Sequence, residues 1–200
     1  AIWVDLDKLD SVEEMPTESA GILASDAKIG EYIAFGHYEQ DNSVNNGKEA
    51  LEWLVLDVQD DKALLVSRYV VDTKPFFFHS QETNWEDSGL RKWMNGAFFY
   101  TAFNEAERNE VILSTLSNDT DWKGNSVDGN DTLDSVFCLS AEEVQRYLPY
   151  GSDDRETIAT EYAMDLGIGT LIYDYYIRSV DVENRWAIRV SDVIFTPEAM

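Results

Sequence analysis

Oxygen-bearing side chains are concentrated in one polar loop near the middle of the chain, between positions 117 and 134. Calcium prefers six to eight oxygen ligands, and several of them are commonly carboxylates on a flexible loop. The composition of this loop therefore predicts a candidate calcium site, and calcium is the one cofactor that the sequence suggests. The candidate ligands are Asp119, Asp121, Asp128, Asn130, Asp131 and Asp134.

The spacing within the loop does not match an EF-hand. If the motif begins at Asp119, Asp121 and Gly124 stand in the expected places. However, Lys123 then occupies a ligand position, and Asn130 stands where a bidentate glutamate belongs. The alternative is that these Asp and Asn residues end turns and strands by accepting hydrogen bonds from nearby N–H groups. Both interpretations stay open from sequence.

Residues for other kinds of catalysis are sparse. The two histidines, His37 and His79, do not stand in a spacing typical of a zinc site, and no GxSxG, GxxxxGK or GxGxxG pattern is present. The single cysteine, Cys138, lies in an apolar segment that we predict to be a buried strand, so we interpret it as a structural thiol. A pair of catalytic carboxylates stays open, because its separation cannot be read from sequence.

The charge of the chain narrows the classes of partner. Lys and Arg number 15 against 39 Asp and Glu, which gives a formal net charge of -24. Such a field repels phosphate backbones and anionic lipid headgroups, so we expect neither nucleic acid nor a membrane surface as a partner. Membrane insertion is not expected either, since no apolar run approaches the ~18 residues of a spanning helix. A glycan, a peptide or a protein is the expected ligand.

Strands are predicted near the start of the chain. An extended stretch from 29 to 38 precedes two strands, 51–58 and 63–69, whose connection Gln59-Asp60-Asp61-Lys62 is short and polar. This arrangement predicts a β-hairpin. The first residues, 1–27, show no sustained period and are interpreted as a leader or linker, partly ordered. We therefore predict a single domain over 28–200.

Helical spacing follows from 85 to 113, where the stripe Leu90, Trp93, Met94, Ala97 and Phe98 predicts a core-facing helix that Asn95-Gly96 breaks early. Capping boxes are predicted at Thr83 with Glu86, Asn104 with Glu107, and Ser140 with Glu143. A further helix is predicted over 156–166, and strands over 135–139, 171–180, 185–190 and 193–196.

The predicted order places antiparallel strands at both ends of the chain with two to four helices between them. This segregation is typical of an α+β fold rather than of a parallel βαβ repeat. The sequence begins at Ala1, which suits a processed N-terminus after removal of a signal peptide or anchor, although trimming would look the same. The expected location is therefore extracellular or in the cell envelope, with the cytoplasm as the alternative.

Several blocks of sequence resemble a bacterial family, typical of gut Firmicutes, whose domains have no known function. Its opening is similar to Phe35-Gly36-His37-Tyr38-Glu39-Gln40-Asp41-Asn42, Asn46-Gly47-Lys48-Glu49 and Glu52-Trp53-Leu54-Val55-Leu56. The more specific blocks are Trp85-Glu86 with Leu90-Arg91-Lys92-Trp93-Met94-Asn95, then Thr101-Ala102-Phe103, then Gly129-Asn130-Asp131-Thr132 with Val136-Phe137 and Leu139-Ser140. In this order they cover roughly residues 28 to 148.

That family in turn is similar to proteins of C-type-lectin-like fold, and the resemblance implies such a fold here. The family's later blocks are matched only by Tyr175-Tyr176-Ile177-Arg178-Ser179 and by Phe195-Thr196-Pro197-Glu198-Ala199, so the chain diverges after about residue 150. These loops would form the ligand face of a lectin-like fold. The candidate ligand-binding residues are Trp122, Tyr175, Tyr176, Arg178 and Trp186.

The resemblance implies a binding or adhesion module that works outside the cytoplasm and has no catalytic activity. Two alternatives stay open. One is a carboxylate-based hydrolase acting on glycans, which would need two acids with shifted pKa values facing each other in a cleft. The other is a structural domain of an envelope assembly.

Overall fold

The computed structural model shows a mixed α+β fold and describes residues 1–9, 27–78, 84–166, 175–181, 186–190 and 195–198. The strands are β1 (Ile2–Asp5), β2 (Tyr32–Tyr38), β3 (Glu49–Gln59), β4 (Lys62–Ser67), β5 (Tyr69–Val70), β6 (Ser114–Leu116), β7 (Thr132–Asp134), β8 (Ile158–Ala159), β9 (Tyr175–Asp181), β10 (Trp186–Val190) and β11 (Phe195–Glu198). The α-helices are α1 (Leu6–Leu9), α2 (Gly89–Trp93), α3 (Phe99–Ala102), α4 (Glu105–Glu110), α5 (Ala141–Tyr147) and α6 (Glu161–Asp165).

The central element is an antiparallel sheet with the strand order β1-β4-β3-β2. The predicted hairpin is confirmed as β3 and β4, which are joined at Asp60-Asp61. Asp60 adopts a φ of 53°, a left-handed conformation that Asp tolerates better than most residues. The loop therefore reverses the chain within two residues.

Both faces of this sheet are covered, because alternate side chains of a strand point to opposite sides. Leu51, Trp53 and Val55 of β3 belong to one buried cluster, whereas Leu54 and Leu56 belong to another. The first cluster is built with the helical segment 98–103, and the second with α5 and β9. The sheet is thus the middle layer of the molecule, which explains the nearly continuous apolar run in β3.

The first residues of the chain belong to the central sheet. We interpreted 1–27 as a partly ordered leader or linker; within that range β1 is an edge strand of the sheet, and Ile2 and Val4 are fully buried. The alternation in Ile2–Asp5 is too short to stand out from its irregular surroundings. Its partners are distant in the chain: β4, some 60 residues away, and Val111, which bridges to Val4.

The predicted core-facing helix is confirmed in position but not in form. It begins with Ser88 as the N-cap, runs through α2, widens into a π-helical turn at Met94–Phe98 and continues as α3. Asn95-Gly96 therefore lies in the π-helical turn instead of ending the helix. Ala97 is exposed, so the stripe is buried only in part. The predicted cap residue Thr83 lies outside the described residues.

The other two capping boxes are confirmed: Asn104 with Glu107 begins α4, and Ser140 with Glu143 begins α5. The predicted strand 135–139 is wrong, since β7 ends at Asp134 and the following residues are irregular although mostly buried. Their main chain bonds to the neighbouring segments instead, as in Phe137 N–H to Ala1 O and Arg178 N–H to Leu139 O.

The C-terminal strands form a separate three-stranded antiparallel sheet in the order β11-β10-β9. They correspond to the predicted strands, although the predicted residues 171–174, 185, 193 and 194 lie outside the described part. The predicted helix 156–166 is shorter than expected. A 3₁₀ turn (Asp153–Arg155) and β8 come first, and Thr160 then begins α6 as its N-cap.

Candidate functional site

The candidate calcium ligands lie in different surroundings, and the first two belong to a turn of the polar loop. Asp121 accepts hydrogen bonds from Lys123 N–H, Asn125 N–H and Asn125 Nδ2, each at 2.8–2.9 Å. Burial opposes ionisation of Asp121, but these bonds outweigh it and hold the pKa of its carboxyl below the ordinary value. Asp119 accepts from Val127 N–H through its main-chain oxygen at 2.8 Å. The Asp121 side chain therefore shapes this turn, whereas Asp119 contributes a main-chain bond that any residue could form.

The later loop residues point in different directions. Asp128, Asn130 and Asp131 are exposed, and Asn130 Nδ2 donates to Glu86 at 2.9 Å. Among the described residues, no three carboxylates of this loop bring their oxygens within 4.8 Å of one another. The loop therefore does not present the converging set of carboxylates that a calcium site with several Asp ligands needs.

Asp134 lies at the centre of a buried hydrogen-bond network. Its fully buried carboxylate accepts from Trp85 Nε1 at 2.9 Å, Arg91 Nε at 2.7 Å, Thr132 Oγ1 at 2.8 Å and Asn95 Nδ2 at 3.2 Å. Charge-assisted bonds of this kind compensate a carboxylate for the water that it loses. Asp134 is thus fully used inside the protein.

The same network explains two sequence blocks that lie about 40 residues apart. Trp85, Arg91 and Asn95 come from the first block, while Thr132 and Asp134 come from the second. Asn95 also accepts from Ser135 N–H and Val136 N–H and donates to Val136 O, so it fastens the irregular segment that replaces the predicted strand. These residue types at these positions therefore serve to join α2 and its π-helical turn to β7.

One carboxylate cluster was missed by the sequence analysis. Oxygens of Glu39, Asp41 and Glu49 lie within 4.8 Å of one another, next to the loop between β2 and β3. Most are already used: Glu49 accepts from Gln40 N–H at 2.7 Å, and Asp41 accepts from Ser43 N–H at 2.8 Å. Glu39 also accepts from Ser43 N–H. The cluster therefore orders this loop, and only the pairing of β2 with β3 brings its members together.

The described side chains among the candidate ligand-binding residues do not share one surface. Arg178 is buried, forms a bidentate ion pair with Glu143 and donates to Cys138 O. Although burial opposes it, this pairing lowers the pKa of Glu143. Trp122 packs against the core next to the polar loop. Trp186 lies on β10, and its side chain falls outside the described part. Arg178 thus occupies the interior instead of the exposed face that we expected.

Tyr175 and Tyr176, by contrast, line a cavity of about 900 Å³. Its walls are the chain from 66 to 75, the α2 and π-helical segment, residues 136–139 and the turn at 153–158. Several of the lining residues reach the surface: Ile158 is 54 % exposed and Leu166 is 45 % exposed. The cavity therefore has a rim that is accessible to solvent.

The walls combine apolar surface with a few polar groups, as small-ligand sites commonly do. Tyr175 Oη is buried and has no hydrogen-bond partner among the described residues, and burial raises the pKa of Tyr175 to about 12. Lys74, another lining residue, lies 5.0 Å from the centre of the Trp93 ring and forms a 2.7 Å ion pair with Asp72. The cavity thus offers both aromatic contacts and hydrogen-bonding groups.

The rim carries a stacked group of charged and aromatic side chains. The Arg68 guanidinium lies 4.5 Å from the centre of the Tyr32 ring and 5.1 Å from that of Tyr69. Tyr32 in turn donates to Asp154 at 3.1 Å. Cation–π contacts of this kind hold flexible side chains in one arrangement. This part of the rim is therefore organised before any ligand arrives.

The cavity wall also contains the sequence's single thiol. Burial raises the pKa of Cys138 to about 11, so the group is a neutral thiol at physiological pH. This agrees with the structural role that we predicted. Among the described acids, the one whose pKa is raised toward neutrality is Glu110, and Glu110 does not line the cavity.

Comparisons with known proteins identify a family but no relative of known activity. A family model described as a domain of unknown function (DUF6273) matches residues 60–192. No curated protein and no solved structure matches the chain. In addition, no helix in the described ranges combines the length and the apolar character that crossing a membrane requires.

Proposed function

We propose, from the premise that this chain belongs to the DUF6273 family of domains of unknown function, that it is a ligand-binding module without catalytic activity. The proposed location is outside the cytoplasm, in the extracellular space or the cell envelope. The observation that carries the proposal is the cavity of about 900 Å³, which has apolar and aromatic walls and an exposed rim. Its volume lies in the range typical of small-molecule sites.

The chemistry of the walls favours a neutral, partly apolar ligand with hydroxyl or amide groups. Thr73 and Thr157 place hydroxyl-bearing side chains in the lining, and Val66, Val71 and Leu90 place apolar side chains there. The charges at the site are mixed in sign, with Arg68 and Lys74 beside Asp72 and Asp154. A glycan or a short peptide meets these conditions, whereas a polyanion meets the repulsion of the -24 net charge.

The C-type-lectin-like fold remains a prediction from the sequence resemblance. In the described part of the chain, β1 pairs with β4, and β9–β11 form a sheet of their own. The binding proposal therefore rests on the cavity and not on that resemblance.

The experiment compares two substitutions of exposed apolar residues by arginine. Ile158→Arg places a long charged side chain at the cavity rim, whereas Leu113→Arg changes a residue of similar exposure, 59 % against 54 %, away from the cavity. Purified wild-type protein and both variants are applied to arrays of oligosaccharides and short peptides. We expect the ligands retained by wild type to bind Ile158→Arg at least about tenfold more weakly and Leu113→Arg equally well.

Other results would contradict the proposal. Equal binding by wild type and Ile158→Arg would remove the cavity as the site, and failure of wild type to bind any ligand of either array would remove the binding function. Cleavage of an arrayed glycan would favour the hydrolase instead. The thermal midpoints of both variants should lie close to that of wild type, because both substituted side chains are exposed.

A further inference from the structure

Helix α4 ends at a buried acid, Glu110, one of whose carboxylate oxygens accepts no hydrogen bond from the described residues. Glu110 is 3 % exposed, and its Oε2 atom is buried without a hydrogen-bond partner among the described residues. A buried carboxylate normally has several donors around it, because removing it from water without them is costly. Glu110 therefore needs another explanation.

A second acid lies beside Glu110 in the N-terminal strand, because the antiparallel bridge between Val4 and Val111 sets the next residue, Asp5, alongside Glu110. Asp5, the last residue of β1, has a buried Oδ1 atom that also lacks a partner among the described residues. Its other oxygen lies 2.9 Å from Lys8 Nζ, and this hydrogen bond lowers the pKa of Asp5, so Asp5 stays ionised. Glu110 thus lies next to a fixed negative charge.

The other charged groups around Glu110 come from three elements. On α4 itself, Glu107 adds a second negative charge; on α1, Lys8 is the nearest positive charge. The β3–β4 turn lies alongside β1, where Lys62 pairs with Asp5 in the sheet and Asp61 O accepts from Leu6 N–H, but both turn residues are exposed. Burial, followed by the charges of Glu107 and Asp5, raises the pKa of Glu110 to about 7.

This acid lies where the N-terminal segment is attached to α4. Ile112 N–H donates to Trp3 O at 2.8 Å, Val4 forms a β-bridge with Val111, and Lys8 Nζ donates to Asn109 O at 3.3 Å. The contacts involve the residues immediately before and after Glu110 in the chain. Any repulsion between Glu110 and Asp5 therefore acts directly across this junction.

We propose that Glu110 and Asp5 form a proton-operated clasp, which holds the β1–α1 segment on α4 when Glu110 carries a proton and loosens when both carboxyls are ionised. Because β1 is an edge strand, its release would uncover the buried Ile2 and Val4 and free the edge of β4. The chain would then change its N-terminal packing between mildly acidic and mildly alkaline surroundings.

The direction of the pH effect follows from linkage. A carboxyl whose pKa is higher in the folded state than in the unfolded state favours folding most at low pH. This contribution to stability is lost once the pH is above both pKa values. For Glu110 this means that stability falls as pH rises from about 4.5, the unfolded value, through about 7. The folding equilibrium constant should fall between about tenfold and a hundredfold from pH 5 to pH 8 through this group alone.

The test compares Glu110→Gln with wild type in guanidinium unfolding at pH 5, 6, 7 and 8, followed by tryptophan fluorescence. We expect the ratio of the variant's folding constant to that of wild type to rise about ten- to a hundredfold from pH 5 to pH 8. Glu105→Gln, which changes an exposed acid on the same helix, should keep a nearly constant ratio. A constant ratio for Glu110→Gln as well would overturn the clasp.

Two further measurements keep the proposal testable if Glu110→Gln does not fold. In wild type, hydrogen exchange at Ile112 N–H, corrected for intrinsic rates, should show opening that increases from pH 6 to pH 8 and exceeds the opening at Leu148 N–H, just after α5. Equal opening of the two amides at every pH would contradict a clasp that loosens locally. If millimolar calcium or magnesium stabilised wild type at pH 8 as strongly as acid does, a cation and not a proton would occupy the site.

Discussion

Two buried carboxylates in this protein, Asp134 and Glu110, differ in the hydrogen-bond donors that surround them. Asp134 is completely buried and accepts hydrogen bonds from four different side chains. Glu110 is almost as buried, but one of its oxygens has no donor among the described residues and a second carboxylate lies beside it. Four donors therefore compensate the first carboxylate for the water that it loses, whereas burial and neighbouring charges raise the pKa of the second. The donors that accompany burial distinguish the two sites.

The largest loss of stability is expected when the carboxylate of Asp134 is removed. Asp134→Ala removes the carboxylate that Trp85 Nε1 and Arg91 Nε share, so it leaves a buried indole N–H and the Arg91 Nε–H without that acceptor. We expect a loss of about 3–5 kcal/mol in the free energy of unfolding, measured by denaturant titration at pH 7. As the control, Asp131→Ala in the same loop is exposed and should change stability by less than about 0.5 kcal/mol. A similar loss in both variants would mean that the network contributes nothing specific.

A smaller loss is expected at Glu107, which lies one turn before Glu110 on the same helix. Glu107 accepts from Asn104 N–H at 2.7 Å and from Gly36 N–H at 3.2 Å, so both of its oxygens are matched. Glu107→Ala should cost about 1–3 kcal/mol, because it removes half of a capping box and leaves a buried N–H without an acceptor.

The two kinds of carboxylate are compared most directly by measuring the free energy of unfolding of Glu107→Ala and of Glu110→Gln at pH 8. The two substitutions remove neighbouring buried carboxylates, yet we expect the first to destabilise the protein and the second to stabilise it. If both lowered the free energy of unfolding, the difference between matched and unmatched carboxylates would not hold for this helix.

The smallest effect is expected from calcium. Since Asp134 is fully used by side-chain donors and Asp121 by its own turn, the polar loop offers few free ligands. Adding calcium, or adding EDTA instead, should leave the thermal midpoint unchanged within about 1 °C, because a ligand that does not bind the folded state does not stabilise it. A rise of several degrees with calcium that EDTA reverses would restore the predicted site.

The fold was predictable where the signal is local. The hairpin of β3 and β4 follows from alternation around a short polar turn, and the capping boxes of α4 and α5 follow from residues three positions apart. The segment 135–139 was not predictable in this way. Its apolar composition correctly indicates burial, but its main chain bonds to Asn95 and to other distant segments instead of a neighbouring strand.

The candidate site was less predictable than the fold. Tyr175 and Tyr176 do lie at the cavity, whereas Arg178, two residues further, is turned into the interior by Glu143. The family match extends through residue 192, so it includes the region after residue 150 where the resemblance weakens. No pattern in the sequence indicates the cavity, because its walls come from many segments that are far apart in the chain.

The sequence by itself determined the α+β class, the hairpin, two helix caps and the dense polar loop with which the chemistry began. Each depends on residues close together in the chain, where side-chain periodicity and local hydrogen bonds act directly. Only the tertiary structure decided which acids of that loop were free. It buried Asp134 among donors, left Asp128 and Asp131 exposed, and brought Asp5 from the first strand to Glu110. The charge state of a carboxyl depends on its neighbours in space, and sequence spacing does not fix them.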